Sequence, residues 1–251
     1  MIYCAIELRA MTVTFRNPEF QNFHKSLHLP PPTTLIGLAG AAFGKSPKAA
    51  QDFFEEEAWQ LGIFGTSEGY AIDLWKYRKF DDKDPSGIVQ REILFDNHFI
   101  AVFGCEQEDK VMLLSHAFDD PVYALTLGSS DSLAKVVSSS IIRDTEEAME
   151  LSNCLVPGNV ISSVIENISS GDDFSIYSTS EPIAYDLPIK FQYESDYGIR
   201  RVIQRKTLSF VGEPMRLNYL ITGVNYLDRF IPVFPISDSA ISDKLRVKLE
   251  I

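Results

Sequence analysis

An eight-residue stretch near the amino terminus carries the residue types of a phosphate-binding loop. The stretch is AGAAFGKS, Ala39–Ser46, and it fits the loose pattern Ala/Gly-x-x-x-x-Gly-Lys-Ser/Thr. In nucleoside-triphosphate hydrolases such a turn follows a buried strand, and its backbone N–H groups and lysine bind phosphates. The stretch therefore raises the question of whether this chain binds a nucleotide.

The residues around this octamer favour a helix over a phosphate loop. Three consecutive prolines precede it, and apolar residues then recur at helical spacing, namely Leu35, Leu38, Ala39, Ala42 and Phe43. Thr33 or Thr34 can cap such a helix, and Gly44 can end it with Lys45 near its negative end. We therefore predict a helix that ends at Gly44, and nucleotide binding is the lesser alternative.

A second stretch places cations and aromatic rings on an arm that does not resemble a core strand. The segment WKYRK, Trp75–Lys79, has Trp75, Tyr77 and Lys79 on one face and Lys76 and Arg78 on the other. A turn-rich run, Asp81–Gly87, follows, and a second strand-like arm comes after it. We predict a hairpin at about residues 70–99 that projects from the body of the protein.

The net charge of −12 argues, taken alone, against a nucleic-acid partner. The charge is unevenly distributed, because residues 92–190 hold 4 basic against 17 acidic side chains, whereas residues 1–50 carry a local +3 and residues 191–251 a local +2. Both ends of the chain could therefore face a polyanion while the acidic middle faces water. Simple solubility is an equally good explanation of the acidic segment.

The remaining composition gives no sign of a metal or cofactor. The cysteines, Cys4, Cys105 and Cys154, form no C-x-x-C pair, and no carboxylate or His/Cys cluster has metal-ligand spacing. Scattered, unpaired cysteines favour a reducing compartment, so we expect a cytoplasmic protein. No apolar run approaches the length of a membrane span, and the first residues lack the pattern of a signal peptide, so we expect no membrane partner.

The order of elements predicts an α+β fold. The first strand covers Met1–Phe15, helices cover Thr33–Gly44 and Ser46–Gly62, and a strand begins at Ile63. After the hairpin arms come a helix at residues 109–121 and a strand at residues 122–128. This order suits a ferredoxin-like sheet with insertions over residues 1–128. We expect an acidic connector and a smaller β-rich part over residues 129–251.

Four segments of the first half resemble one known family. HLPPPTTLIGLAGAAFG (His28–Gly44) closely matches the amino-terminal signature of the CRISPR-associated RAMP proteins that bind the 5′ handle of CRISPR RNA (crRNA) in type I Cascade. TVTFRNPEF (Thr12–Phe20), VQREILFDNHFIAVF (Val89–Phe103) and DPVYALTLGSS (Asp120–Ser130) are similar to further segments of that family. The Pro-Pro-Pro-Thr-Thr helix resembles type I-B or I-A members most.

This resemblance implies a fold, a role and partners. The implied fold is a modified ferredoxin-like (RRM-type) domain with a β-hairpin thumb and a smaller carboxy-terminal part. The implied role is to cap the 5′ handle of the crRNA beside the backbone RAMP subunits and the large subunit of Cascade, with target DNA as an indirect partner only. The hairpin predicted from turn residues lies where the thumb should be.

The resemblance and the physics of single-stranded RNA together suggest contact residues. Cations bind phosphates, and aromatic rings stack on splayed bases. We expect handle contacts from Arg16, Lys25, His28, Thr33 and Thr34. The thumb would contribute Trp75, Lys76, Tyr77, Arg78, Lys79 and Arg91. Arg200 and Arg201 belong to a third basic cluster in GIRRVIQRK, for which a solvated strand edge is an equally good explanation.

One branch of the same family, type I-C, cleaves the precursor RNA itself without metal. That chemistry needs a general base and a group that stabilises developing charge. The chain has four histidines, of which only His24 and His28, with Lys25, form a plausible set. A non-catalytic RNA-binding subunit is the expectation, and a metal-independent endoribonuclease is the alternative.

Overall fold

The computed structural model describes residues 1–78, 86–167 and 181–236. These ranges contain three helices, twelve strands and a 3₁₀ turn at Ile161–Ser163. In chain order the elements are β1 (Ile2–Val13), α1 (Pro32–Phe43), α2 (Pro47–Glu55), β2 (Gln60–Arg78), β3 (Ser86–Cys105), α3 (Glu108–Asp119), β4 (Ala134–Ile142), β5 (Glu146–Leu151), β6 (Cys154–Pro157), β7 (Val164–Asn167), β8 (Ile183–Tyr193), β9 (Arg200–Val211), β10 (Met215–Tyr226), β11 (Arg229–Pro232) and β12 (Phe234–Pro235). Among the described helices, none has the length and apolar character required to cross a bilayer.

The main sheet is antiparallel and contains strands from both halves of the chain. Its order is β4-β1-β3-β2-β6-β9-β8, and β12 adds to β2. Its first four strands in sequence are connected in the order β1, two helices, β2, β3, α3, β4. The fold is therefore a mixed one of helices and mostly antiparallel sheet, in agreement with the predicted α+β class.

Strand β3 lies at the centre of these first four strands and is buried on both faces. Phe99, Ile100, Ala101, Val102 and Phe103 all have zero solvent exposure. A strand covered on one face alone would alternate apolar and polar residues, whereas this continuous apolar run requires a layer on each side. Helices provide one layer and a second sheet provides the other.

The three helices cover one face of the main sheet. Leu35 and Leu38 of α1 pack in the same core as Leu114 and Phe118 of α3. Cys4, Ile6 and Leu8, which alternate along β1, share one face of the strand and are fully buried in this core.

A smaller antiparallel sheet covers the opposite face. Its order is β11-β10-β5, with β7 also paired to β10. Val224 of β10 and Ile231 of β11 pack on Ile100 and Val102 of β3. The strands that follow residue 129 are thus divided between the two sheets, because β4, β6, β8 and β9 belong to the main one.

Helix α1 begins without the predicted threonine cap. Its first residue is Pro32, Pro31 occupies the N-cap position, and no side chain caps the amino end. Proline suits the first helical position because its missing N–H has no intrahelical partner there and its φ is already helical. At the other end the prediction is confirmed, since Gly44 adopts φ 70° and its N–H donates to the carbonyl of Ala41.

The strand predicted at residues 122–128 is wrong. The N–H groups of Val122 and Tyr123 instead donate to the carbonyls of Ala42 and Ala41, at 3.0 and 3.2 Å, near the carboxyl end of α1. Leu125 and Leu127 are buried, and the pairing of this segment is limited to an isolated bridge between Thr126 and Leu133. The strand that completes this part of the sheet is β4, further along the chain, in a segment whose serine-rich sequence carries little strand signal.

The turn after this buried segment gives a test of the packing against β1. Gly128 has φ 89°, and a Cβ there would overlap the carbonyl oxygen of Thr14. Gly158 has a similar φ of 85°, but a Cβ there would meet no atom within 4 Å. We expect Gly158→Ala to lower the free energy of unfolding by about 1 kcal/mol, the cost of the left-handed conformation, and Gly128→Ala by about 3 kcal/mol or more.

Urea unfolding of both variants measures this difference. Because both glycines have a similar positive φ, Gly158→Ala controls for the cost of that backbone conformation alone. Equal losses of stability in the two variants would contradict the close packing of Gly128 on Thr14.

Candidate nucleic-acid interface

The loop between β1 and α1 returns to the edge of β3. Strand β1 pairs with β3 as far as Val13 and Leu94. Beyond that point His24 occupies the place beside β3 that β1 leaves free. Its N–H donates to Gln90 O at 2.9 Å, and its carbonyl accepts from Glu92 N at 2.9 Å. This return places Lys25 and the residues near it beside the two-stranded ribbon that β2 and β3 form, called the β2–β3 ribbon below.

The loop and the ribbon enclose a groove of about 600 Å³. It is mostly apolar, with a cation and a carboxylate at its wall, and its lining is Phe20, Phe23, Lys25, His28, Ser67, Gly69, Tyr70, Ile72, Glu92 and Leu94. The ammonium of Lys25 lies 5.5 Å from the ring centroid of Phe20. Lys25 and His28, both predicted as contact residues, are therefore brought together here.

The ribbon continues past this groove as paired strands. Pairing of β2 with β3 extends to Arg78 and Ser86, the last described pair. Trp75 and Tyr77 have ring centroids 6.1 Å apart and are 41% and 38% exposed. Lys76 and Arg78 are exposed as well. The end of the ribbon thus presents cations and aromatic rings together. Lys79, the remaining predicted thumb contact, lies outside the described residues.

Arg91 differs from the other predicted cations because it is buried and already paired. Its guanidinium contacts the carboxylates of Asp73 at 3.0 Å and Asp131 at 3.6 Å. It also lies 5.5 Å from the ring centroid of Trp75, whose ring is 5.8 Å from that of His24. Arg91 therefore ties the ribbon to the loop and to the turn at Asp131, and it orients Trp75.

The surroundings of His28 and His24 lower the pKa of both imidazoles. The ring of His28 stacks on Phe210 with centroids 4.6 Å apart, and burial, followed by the charge of Lys25, lowers its pKa. Burial also lowers the pKa of His24, and the charges of Arg16 and Arg91 add to this effect. Arg16 itself is exposed and pairs through its backbone with Ser26.

The third predicted basic cluster lies against the amino-terminal half of α1. Arg200 and Thr33 line a small cavity of about 30 Å³ between α1 and β8. The guanidinium of Arg200 stacks 4.5 Å from the ring centroid of Phe191. Arg201 is exposed and lies 3.5 Å from Glu194. Thr34 is half-buried in the first turn of α1. These residues border a different cavity from that of Lys25 and His28.

The phosphate-loop pattern is accounted for by two helices. Its first five residues lie in α1, so a helix and not a strand precedes the turn, and Gly44 ends that helix. The hydroxyl of Ser46 accepts from Ala49 N at 3.2 Å and so caps α2. Lys45 lies 5.8 Å from the ring centroids of Phe43 and Phe53. A phosphate loop requires a strand before its glycine-rich turn, so the interpretation as a helix end is confirmed.

Sequence reasoning missed the apolar lining of the groove and the carboxylates that hold Arg91. Tyr70 and Ile72 are 67% and 51% exposed, although both lie in a strand. The signal available for the apolar lining was the alternation of apolar residues just before the segment Trp75–Lys79. Nothing local links Asp131 to Arg91. Within the described ranges, no group of three or more His, Cys, Asp or Glu side chains could hold a metal ion.

Comparisons with known proteins agree on the fold. No family model matches the sequence, and no curated protein does. A chain of a CRISPR RNA-guided surveillance complex is similar in structure, with TM-score 0.50 and 12% identity over 86% of this chain and 90% of that one. A CRISPR protein from Archaeoglobus fulgidus also has TM-score 0.50 and 12% identity, over 92% of this chain and 99% of that one.

A third match is partial. It is to a Cas protein with 19% identity and TM-score 0.36, and it covers 51% of this chain and 57% of that one. The chain therefore spans little more than half the length of that protein. The two longer matches show that this chain shares its fold with proteins of CRISPR systems, at an identity too low to carry residue roles.

The stack of His28 on Phe210 predicts a dependence of stability on pH. Since burial lowers the pKa of His28, the unfolded chain binds its proton more readily than the folded one. This contribution to stability is present above the ordinary histidine pKa of about 6.5 and is lost as the pH falls through it. We expect His28→Gln to reduce the loss of stability between pH 7 and pH 5.

Unfolding by urea at several pH values measures the effect. The control is His116→Gln, which replaces a histidine on the exposed face of α3. If the two variants had the same pH profile, the burial of His28 would not control its titration.

Proposed function

We propose that this chain is a non-catalytic subunit of a CRISPR type I effector (Cascade) complex, in which it binds and caps the 5′ handle of the crRNA. The observation that carries the proposal is that the loop of Lys25 and His28 packs against the β2–β3 ribbon, whose outer end presents Trp75 and Tyr77 beyond the groove. The fold shared with a chain of an RNA-guided surveillance complex supports the same assignment.

The topology supports the more specific family assignment. In a ferredoxin-like domain the four strands run in the order 4-1-3-2 with two helical crossovers on one face. Here β4-β1-β3-β2 have this order, and α1 and α3 make the two crossovers. We therefore assign the domain to the RAMP type, with the outer part of the β2–β3 ribbon as its thumb and a type I-B-like member as the nearest subtype.

The groove and the surfaces beside it together have the chemistry that single-stranded RNA requires. Arg16 and Lys25 are exposed cations that can neutralise phosphates, and the exposed rings of Trp75 and Tyr77 can stack on bases. The amino end of α1 carries the positive end of the helix dipole, and no side chain caps it. His28 is neutral near pH 7 because of its lowered pKa, so it offers a hydrogen bond in place of charge.

The distribution of charge supports a role inside an assembly. The chain as a whole is strongly acidic, and Arg91 is already neutralised by two carboxylates, so few cations remain for RNA. We infer that the isolated chain binds crRNA weakly. Neighbouring backbone RAMP subunits and the large subunit would provide the remaining RNA contacts. Leu74 and Ile88, 67% and 69% exposed on the ribbon, suit such protein contacts. Target DNA would be reached only through the guide.

The surroundings of the histidines support a role without catalysis. Catalysis of RNA cleavage would require a base held in position by a third group. Within the described residues neither His24 nor His28 has a side-chain hydrogen bond, and each packs on an aromatic ring. The alternative, a metal-independent endoribonuclease of type I-C character, therefore has less support from this geometry.

Charge reversal tests the proposed interface. The double variant Arg16→Glu, Lys25→Glu replaces attraction to two phosphates with repulsion, and we expect it to reduce guide-RNA retention at least tenfold. The measurement is recovery of crRNA with the chain after co-expression with its genomic neighbours and a CRISPR array. Crosslinks from the 5′ end of the RNA should fall on peptides containing residues 16–34 and 70–91 in the unaltered protein.

The matched control is Arg143→Glu. This side chain is exposed and pairs with Glu108 of α3, so the variant changes charge at a helix surface. Undiminished retention by the double variant would exclude the groove as the handle site. Trimmed RNA ends that depend on His24 or His28 would favour the ribonuclease.

A further inference from the structure

Four side chains form a row across the face of the main sheet opposite the helices. The register places Arg9 directly opposite Lys135 of β4 and His98 of β3, and His98 directly opposite Thr66 of β2. Directly paired residues of antiparallel strands project to the same side of a sheet. With strands about 4.8 Å apart, this Arg9 row spans about 14 Å.

The Arg9 row lies where the second sheet stops. Two residues back along β1, Glu7 is buried, and the hydroxyl of Ser138 bridges its carboxylate at 2.7 Å and the hydroxyl of Tyr226 in β10 at 2.8 Å. Arg9, Lys135 and Thr66, by contrast, are exposed. The sheet therefore has a covered part, which is core, and an open part that begins at this row.

The two cations of the row are unpaired within the described part of the chain. Neither Arg9 nor Lys135 makes a side-chain hydrogen bond, ion pair or ring contact there. Like charges directly opposite one another on a sheet destabilise it, so their placement favours an anionic ligand between them. By contrast, Lys48, Lys110 and Arg143 are held in ion pairs.

His98 is held in a fixed orientation within this row. Its Nε2 lies 2.9 Å from Oε1 of Glu7, so Nε2 carries the hydrogen and donates to the carboxylate. The other oxygen of Glu7 accepts from Ser138, which fixes the carboxylate in turn. The imidazole is therefore pre-positioned beside Arg9. Asp96 and Glu68, exposed two residues further along β3 and β2, limit the basic surface to one or two phosphates.

We propose that the Arg9 row binds the phosphodiester backbone of single-stranded RNA at a second site, separate from the groove at Lys25. Arg9 and Lys135 would neutralise adjacent phosphates, and Thr66 would donate from its hydroxyl. Charge complementarity selects this ligand, because the row offers cations and donors with few apolar groups. The inference rests on the proposed function in one respect, which is that the ligand is RNA.

The salt dependence of RNA binding tests the row. Fluorescence anisotropy of the full chain with a labelled, mixed-sequence single-stranded RNA gives the affinity at a series of salt concentrations. We expect the double variant Arg9→Gln, Lys135→Gln to reduce the slope of log K against log salt by about 1.4, about 0.7 for each phosphate that is no longer neutralised. The control, Lys48→Gln with Arg143→Gln, removes the same charge from exposed ion pairs and should keep the wild-type slope.

Three results would overturn the inference. Equal slopes for the Arg9 and control variants would mean that the row does not bind phosphates. Absence of binding by the unaltered chain at low salt would also mean that the row does not bind phosphates. The capping role would still be decided by crosslinking in the assembly. Unchanged RNA binding with loss of a neighbouring subunit from the complex would assign the row to an acidic protein surface instead.

Discussion

The pairing of β3 with β1 on one side and β2 on the other is the interaction on which the rest of the structure depends. Phe99 to Phe103 contribute side chains to both cores, so the helices and the second sheet are attached through the same residues. Burying this run removes apolar surface on both faces from water, at roughly 25 cal/mol per Å². The backbone of β3 meanwhile finds its partners within the sheet.

The same strand pair that organises the core also carries the candidate site outward. Where β1 ends at Val13, the edge of β3 is free, and the loop containing His24 fills it. Because the loop takes the place of β1 beside β3, its cations and aromatic residues lie against the ribbon. The groove is therefore a consequence of β1 being shorter than β2 and β3, the two strands of the ribbon, and Arg91 fixes the position of the ribbon beside it.

The parts of the fold and of the site that depend on residues close together in the sequence were predictable. The helix end at Gly44, the cap at Ser46 and the alternation that places Cys4, Ile6 and Leu8 on one face of β1 follow from spacing and from local hydrogen bonds. The clustering of Lys25 with His28 was predictable because they are close together in the sequence. The engagement of Arg91 by Asp131 was not, because a long stretch of chain separates them and either side chain alone fits a solvated surface.

The sequence by itself determined the class of fold, the end of the first helix at Gly44 and the segments with cations and aromatic rings. These properties follow from periodicity and turn chemistry, which act over a few residues. The predicted second helix, Ser46–Gly62, was too long, because α2 ends at Glu55 and β2 begins at Gln60. Only the tertiary structure decided that residues 122–128 cap a helix in place of forming a strand, and that Lys135, Arg9 and His98 share one row. Such outcomes depend on register and burial between distant segments, and a local pattern carries no information about either.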